Sequence, residues 1–421
     1  MVKIINNIKS TFFKNTITLL TGATITQLIP LITAPILSRI YLPEYYGYLA
    51  LYISFSNIAT SITNLQLSQA IIVTETKEEE DNLVLLCLLL TILFTFISLI
   101  IVFFYNHFNL NQEVHNSLNL WLWFLPLSIL INGMSTIYIK LLTKHNKFRL
   151  LSFSRVSTTI ITVSISLFVG YLTKTELGLF LGLLIGQFTG LFIIMVGSKE
   201  LALNIHSCKK EKMIGLIKKH KKFTLFTLPS DFLGNWSSQL PIQMITYYST
   251  ANAVGLFNYT QRMVSIPINL ISGSTAPVFA QRATKDYLND GCCRPIYIKT
   301  SLMLSGIGFL PFLGLLLFAP NLFGLIFGEK WIEAGIYAQI LTPMFYLKFI
   351  VNPLSFVFYL ANKQFEDFIL NIFTIVLIFL SLYLGYYFFN NVYWMLVFFS
   401  FSFSLIYLIY LIRGYQLTIK P

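Results

Sequence analysis

The chain has 421 residues, 56% of them hydrophobic and only 11% charged, with a formal net charge of +12 and a mean hydropathy of +0.71. A soluble domain carries about 25% charged residues, so a water-soluble fold is excluded. The basic residues fall between apolar runs and form no base-reading module, which assigns them to the positive-inside rule and argues against nucleic acid as a partner.

The N-terminus, MVKIINNIKSTFFK, is short and basic and is followed by a long apolar run without a small-residue cleavage site, the pattern of a retained first helix. About 20 residues cross the roughly 30 Å hydrocarbon layer. Twelve spans are predicted on that basis, at about 16–38, 47–73, 83–105, 118–142, 150–172, 177–197, 223–248, 254–280, 297–319, 334–360, 367–389 and 392–412. The predicted fold is all-α, a polytopic membrane protein. With the N-terminus inside, about 24 Lys and Arg lie in or beside cytoplasmic segments, against three outside, Arg39, Lys174 and Lys330. Both termini are therefore expected to be cytoplasmic.

The acidic run Glu75 to Asp81 falls in the first inner loop and reads as solvated. The longest polar break, Ser198 to Lys222, carries eight lysines and two glutamates and lies near the midpoint. It divides the chain into an N-terminal six-helix lobe (1–197), a basic cytoplasmic linker (198–222) and a C-terminal six-helix lobe (223–421). Met213, Ile214, Leu216 and Ile217 among its lysines suggest a helix on the anionic inner leaflet. Two six-helix halves suggest a parallel repeat. Its one sequence trace is a glycine at the entry to spans 2 and 8, Gly47 and Gly255.

Polar groups inside the membrane are costly and mark cavities or bundle interiors. Span 2 carries Asn57, Ser61, Asn64 and Ser68 on one helical face, and span 8 repeats the pattern with Asn258, Arg262, Ser265 and Asn269. Span 7 has Asp231, Asn235, Ser238 and Gln239; span 10 has Lys348, Asn352 and Ser355. Neutral stripes also serve as packing glue between helices. Arg262 and Lys348 need water, a carboxylate or an anionic ligand, because Arg or Lys at mid-membrane costs about 2.5 to 3.5 kcal/mol. Two readings follow: a cationic cavity, or an ion pair of Asp231 with Arg262. Prolines interrupt span 1 (Pro30, Pro35), span 7 (Pro229, Pro241), span 8 (Pro267, Pro277) and span 10 (Pro343, Pro353), permitting kinks.

No phosphate-binding loop and no metal signature is present. The five histidines, His107, His115, His145, His206 and His220, sit in loops or at helix ends and read as solvated. Cys87, Cys208, Cys292 and Cys293 have neither zinc spacing nor a disulfide framework and read as reduced thiols. No metal or cofactor is expected.

Three stretches carry a family resemblance. Thr21 to Ile58 contains P-I-L-S-R-x-Y-x-P-E-x-x-G, here Pro35, Ser38, Arg39, Tyr41, Pro43, Glu44 and Gly47. Gln239 to Ile271 places a loop glycine before an Arg and then a Pro, and Leu322 to Pro343 contains F-G-x-x-W-x-x-A-G-x-Y-A. Together they resemble bacterial polysaccharide-biosynthesis flippases, the Wzx-type O-antigen transporters of the multidrug/oligosaccharidyl-lipid/polysaccharide superfamily. The resemblance implies two six-helix lobes around a central cavity in the inner membrane, opening alternately to each side. Its implied substrate is undecaprenyl-pyrophosphate-linked oligosaccharide, moved to the periplasmic leaflet. Arg262 and Lys348 would hold pyrophosphate or acidic sugar, flanked by Asn258, Ser265, Asn269, Asn352, Asn57 and Asn64. Asp231 is the candidate for a coupling H+ or Na+. The implied partners are membrane lipids and other assembly proteins, such as a polymerase or chain-length regulator. A departure is that predicted spans 1 to 4 show no deep charge, so cavity charge would rest on the C-terminal lobe.

Arg39, Tyr41, Pro43, Glu44 and Gly47 read as a structural turn in the outer loop. Two alternatives remain open. One is a cation-coupled drug exporter of the same superfamily, against which the motifs near Arg39 and Trp331 speak. The other is a membrane-integral O-antigen polymerase or ligase, which would carry a long outer loop.

Overall fold

The structure, a computed structural model, describes residues 2–108, 120–201 and 210–420, with side chains described at Thr18 and from Leu20 onward. Cys208, His115 and His206 lie outside the described residues. The fold is all-α, as expected. In chain order the helices are α1 (Val2–Ile40), α2 (Pro43–Ile62), α3 (Lys77–Phe108), α4 (Leu125–Lys144), α5 (Phe148–Thr173), α6 (Leu177–Gly197) and a short α7 (Lys210–Lys219). They continue as α8 (Leu228–Tyr248), α9 (Ala251–Asp290), α10 (Arg294–Phe327), α11 (Ile332–Leu354), α12 (Phe356–Leu360), α13 (Gln364–Phe389) and α14 (Val392–Gln416). Ten helices among the described residues are long and apolar enough to cross a membrane. The two other long helices, α2 and α8, correspond to predicted spans 2 and 7 and owe their lower apolarity to their Asn, Ser and Gln residues. The protein is a multi-pass membrane protein.

The chain forms two compact units. The first comprises Met1–Thr33 and Tyr48–Gln239, the second Ala34–Gly47 and Leu240–Pro421. The dividing lines thus fall inside α1, α2 and α8.

In the first unit, α5 and α6 pack closest. Gly182, Gly186 and Gly190 recur every fourth residue along α6, and a Cβ at Gly186 would lie 2.0 Å from Thr162 Oγ1. Such small-residue stripes let membrane helices approach to backbone contact. Ser154 Oγ donates to the Gly190 carbonyl at 2.8 Å across this seam.

The helix expected over 47–73 ends at Ile62. Ser61 and Thr63 turn their hydroxyls back onto the Ile58 and Thr60 carbonyls, competing with the helical ladder. Leu65 and Gln66 then take left-handed φ of 50° and 58° before a tight 3-10 stretch, Leu67–Val73. The four-residue polar stripe of that span is therefore broken between Ser61 and Asn64.

The acidic run is not a solvated loop. Glu80 and Asp81, at the start of α3, are 1% and 2% exposed. Glu80 is held by Lys77 and Lys144, each at 2.7 Å, and by His145 at 3.0 Å, while Asp81 meets Lys77 at 3.1 Å. Two lysines, with the His145 ring as a further hydrogen-bond partner, compensate the desolvation that a buried carboxylate demands. His145, though exposed, is thereby a partner of Glu80, whereas His220 is buried, with Nε2 lacking a hydrogen-bond partner among the described residues, and is not the solvated residue expected. Both lie where several elements converge, which their places at helix ends do not reveal.

The linker helix α7 is docked on the protein. Leu216 enters a core cluster with Leu67, Leu83, Leu86, Ile137 and Leu141, and Met213 packs against it. Lys212 pairs with Glu78 and Lys219 with Glu79, the latter at 2.6 Å. Ile214 and Ile217 face outward. Of the four apolar residues expected on the leaflet, two are turned into the protein.

In the second unit, α9 opens with Thr250, whose Oγ1 accepts from the Ala253 amide, and closes at Gly291 in the left-handed region. Near its start α9 crosses the first turns of α2. A Cβ at Gly47 would lie 1.8 Å from the Ala251 carbonyl oxygen, and one at Gly255 1.7 Å from that of Pro43. The paired glycines of the two predicted span entries are thus the two sides of one contact. Beside it Tyr46, Tyr259 and Trp331 stack edge to face or tilted, with ring centroids 4.0 to 5.4 Å apart.

Candidate functional site

The motif around Arg39 is assembled from α1 and α2 within the second unit. Pro43 occupies the first position of α2, where its missing N–H and fixed φ suit a helix start. Glu44 follows in the first turn, where the helix dipole favours an anion. Tyr41 is 1% exposed. Ser38 Oγ donates to the Phe327 carbonyl at 2.9 Å, and Trp331 Nε1 donates to the Ser38 carbonyl at 2.9 Å. Two of the resemblance motifs therefore interlock, the first supplying Ser38 and the third Phe327 and Trp331. Tyr259 adds a bond to the Ala34 carbonyl at 3.1 Å. Arg39 points outward, exposed.

The α9 stripe occupies the side of that helix left open by packing. Tyr259, Thr260, Met263 and Val264 are buried, whereas Asn258 and Ser265 are half-buried and Arg262 and Asn269 exposed. Among the described residues of its own unit Arg262 has no carboxylate partner; its electrostatic neighbours there are the phenols of Tyr46 and Tyr259. On α11, Lys348 and Asn352 are half-buried, and Ser355 Oγ donates to the Asn352 carbonyl at 2.9 Å beside the Pro353 break.

Helices α9 and α11 run in the same direction and are stitched by Thr260 Oγ1 donating to the Ala334 carbonyl at 2.8 Å. Arg262 lies two residues beyond this stitch and Lys348 fourteen residues beyond its partner. At 1.5 Å per residue the two cations are staggered by about 18 Å along the helices. They form two stations at different depths, a stagger that no reading of either stripe alone supplies.

In the first unit, Asn57 is exposed on α2, while Asn64 is 3% exposed and accepts from Ser68 Oγ at 3.3 Å. Asp231 is half-buried in the first turn of α8, followed by exposed Asn235 and Ser238.

Residues that the stripes did not single out line a cavity of about 320 Å³ in the first unit, among them Thr26, Asn132, Ser135, Arg155, Thr158 and Gln187. A polar chain backs it. The Tyr52 hydroxyl lies 2.7 Å from Ser128 Oγ, which donates to Gln187 Oε1 at 3.3 Å, and Asn132 Nδ2 donates to Ser56 Oγ at 3.4 Å. Helix α5 contributes Ser154, Arg155, Thr158 and Thr159, α4 Asn132 and Ser135, and α1 and α6 one polar residue each, and only helix pairing gathers them.

The model of the family described as "Polysaccharide biosynthesis protein" matches residues 12–282, more than half of the chain. The teichuronic acid biosynthesis protein TuaB of Bacillus subtilis (strain 168) is 24% identical over 135 residues, 31% of this chain and 27% of that protein, so the match spans about a quarter of the relative's length. An inward-facing MATE-family multidrug resistance transporter of the MOP superfamily superposes with a TM-score of 0.70 at 14% identity, covering 95% of this chain and 94% of that one. The lipid II flippase MurJ, inward closed, superposes with a TM-score of 0.71 at 13% identity, covering 95% and 89%. These likenesses establish the fold, that of MOP-superfamily transporters. Fold and family model together place the chain in the polysaccharide biosynthesis protein family.

Proposed function

We propose that the protein is a flippase that moves a polyprenyl-pyrophosphate-linked oligosaccharide from the cytoplasmic to the outer leaflet of a bacterial inner membrane. The observation that carries this reading is the pair of cations, Arg262 and Lys348, at two depths on adjacent helices of a family member with a transporter fold. A saccharide cannot cross hydrocarbon unaided, since each unpaired hydroxyl costs a few kcal/mol. Polar side chains such as Asn258, Ser265, Asn269 and Asn352 replace its water, while the polyprenyl tail stays in lipid. Staggered cations let the anionic linkage be handed from one station to the next instead of being trapped at one. Asp231 carries the coupling H+ or Na+. Polymerase and chain-length regulator act on the product, and no covalent step is assigned to this chain.

The experiment is complementation of a strain lacking the native gene, following lipid-linked oligosaccharide on each face of the inner membrane. Wild type restores outward movement. Arg262→Ala and Lys348→Ala, at matched membrane levels, leave at least about 90% of the substrate on the cytoplasmic face, a tenfold loss that corresponds to about 1.4 kcal/mol. Unchanged translocation by a wild-type protein that alters polymer length instead would turn the reading toward a membrane enzyme.

A further inference from the structure

We propose that the cavity among α1, α4, α5 and α6 of the first unit is a separate oxyanion-binding site built on Arg155. The inference deepens the flippase reading and rests on it for the source of the oxyanion. Arg155, an exposed side chain, lies seven residues into α5, about 11 Å along the helix, a depth at which a charge is costly unless water or a ligand compensates it. Among the described residues its guanidinium has no carboxylate and no hydrogen-bond partner; the bond at this residue is made by its backbone carbonyl, which accepts from Thr159 Oγ1 at 3.1 Å. Yet the side chain lines a cavity that contains no Asp or Glu among its lining residues. A cation would find no counter-charge there.

Of the neutral lining, the Thr26, Ser154, Thr158 and Thr159 hydroxyls give their protons to backbone carbonyls, so the donor beside Arg155 is Gln187, whose Oε1 accepts from Ser128 and whose amide N–H groups are left for the cavity. Arg155 and Gln187 sit on the two helices locked together by the glycine seam, with Gly186 against Thr162 and Gly190 against Thr158, so their spacing is held rigidly. A planar five-donor guanidinium beside an amide donor matches a phosphate or carboxylate. At about 320 Å³ the cavity is at the low end of small-molecule sites, roughly 300 to 1,000 Å³. It takes one charged group, not a whole repeat unit. Two sources share this chemistry: the pyrophosphate of the lipid carrier and the carboxylate of an acidic sugar.

The test uses full-length protein carrying Arg262→Ala and Lys348→Ala in nanodiscs of phosphatidylcholine, so that neither of the other cations contributes. Inorganic pyrophosphate, glucuronate and neutral methyl glucoside are titrated by calorimetry. Saturable binding of pyrophosphate or glucuronate that falls at least tenfold on adding Arg155→Ala, and about threefold with Arg155→Lys, is expected; the preferred probe names the source. Methyl glucoside should not discriminate between the variants. Equal anion binding with and without Arg155→Ala overturns the site. Should Arg155→Ala fail to fold, Gln187→Met makes the same comparison, with a loss of about threefold expected and no loss overturning it. A wild type that does not translocate lipid-linked oligosaccharide would sink the flippase reading but leave this binding comparison standing, whereas normal translocation with anion binding indifferent to Arg155 would sink only the site.

Discussion

One methyl group separates glycine from alanine, and at Gly255 there is no space for it. A Cβ there would lie 1.7 Å from the Pro43 carbonyl oxygen, a backbone atom that cannot swing aside. Gly255→Ala therefore forces the α2–α9 crossing apart and is expected to cost about 3 kcal/mol, read as a fall in thermal unfolding temperature and folded yield in detergent. Gly215→Ala, on the outer side of α7 with nothing near its Cβ, is the control and should unfold as wild type. An unshifted Gly255→Ala would show that the crossing is looser than its geometry. Arg262 and Lys348 follow a different logic. Among the described residues of their own unit none pairs with either, so their loss should spare folding while removing transport.

At the scale of elements, α7 is the informative case, because its composition and its placement point different ways. Lysines and isoleucines suggest a helix on a lipid surface, but Leu216 is inserted among Leu83, Leu86 and Ile137. Leu216→Ala should weaken the docking by about 2 to 4 kcal/mol, measured as faster tryptic cleavage at the α7 lysines; cleavage at the wild-type rate would mean that α7 is held by its ion pairs alone. His220 adds a pH dependence. Burial, and then the charge of Lys219, push its imidazole below the ordinary 6.5, with Glu79 opposing weakly. The undocked imidazole takes up a proton as pH falls through about 6.5 while the docked one does not, so the undocked form binds more protons and docking weakens toward acid. Amide exchange in α7, corrected for intrinsic rates, should quicken between pH 7.5 and 5.5 in wild type and not in His220→Leu. Equal pH dependence in the two proteins would remove His220 as the cause.

For the molecule as a whole, orientation is the property from which every other functional statement takes its sign. By the positive-inside rule, the excess of Lys and Arg on one side predicts that both termini and α7 are cytoplasmic. Maleimide labelling of intact cells should leave Cys292 and a cysteine introduced at Lys218 untouched by an impermeant reagent and accessible after permeabilisation. Labelling of either in intact cells would invert the topology and with it the direction of transport. The acidic start of α3, the Lys144–His145 end of α4 and α7 lie together whichever side they face, α3 and α4 joined by the ion cluster around Glu80 and α7 joined to α3 by Lys212 with Glu78 and Lys219 with Glu79.

The sequence by itself determined the membrane class, the all-α fold, most of the spans and the family resemblance, because hydropathy and short motifs are local along the chain and need no partner to be read. It also marked Gly47 and Gly255, though not that they meet. The end of α2 at Ile62, the burial of Glu80 and His220, the docking of Leu216, the stagger of Arg262 and Lys348 and the gathering of Arg155 with Gln187 were decided by tertiary structure alone. Each depends on which helix lies beside which and at what register. A membrane helix is apolar on nearly every side, so its sequence periodicity says little about which face meets a neighbour. That choice is made by backbone approach at small residues and by polar groups finding partners far along the chain, and only packing brings them together.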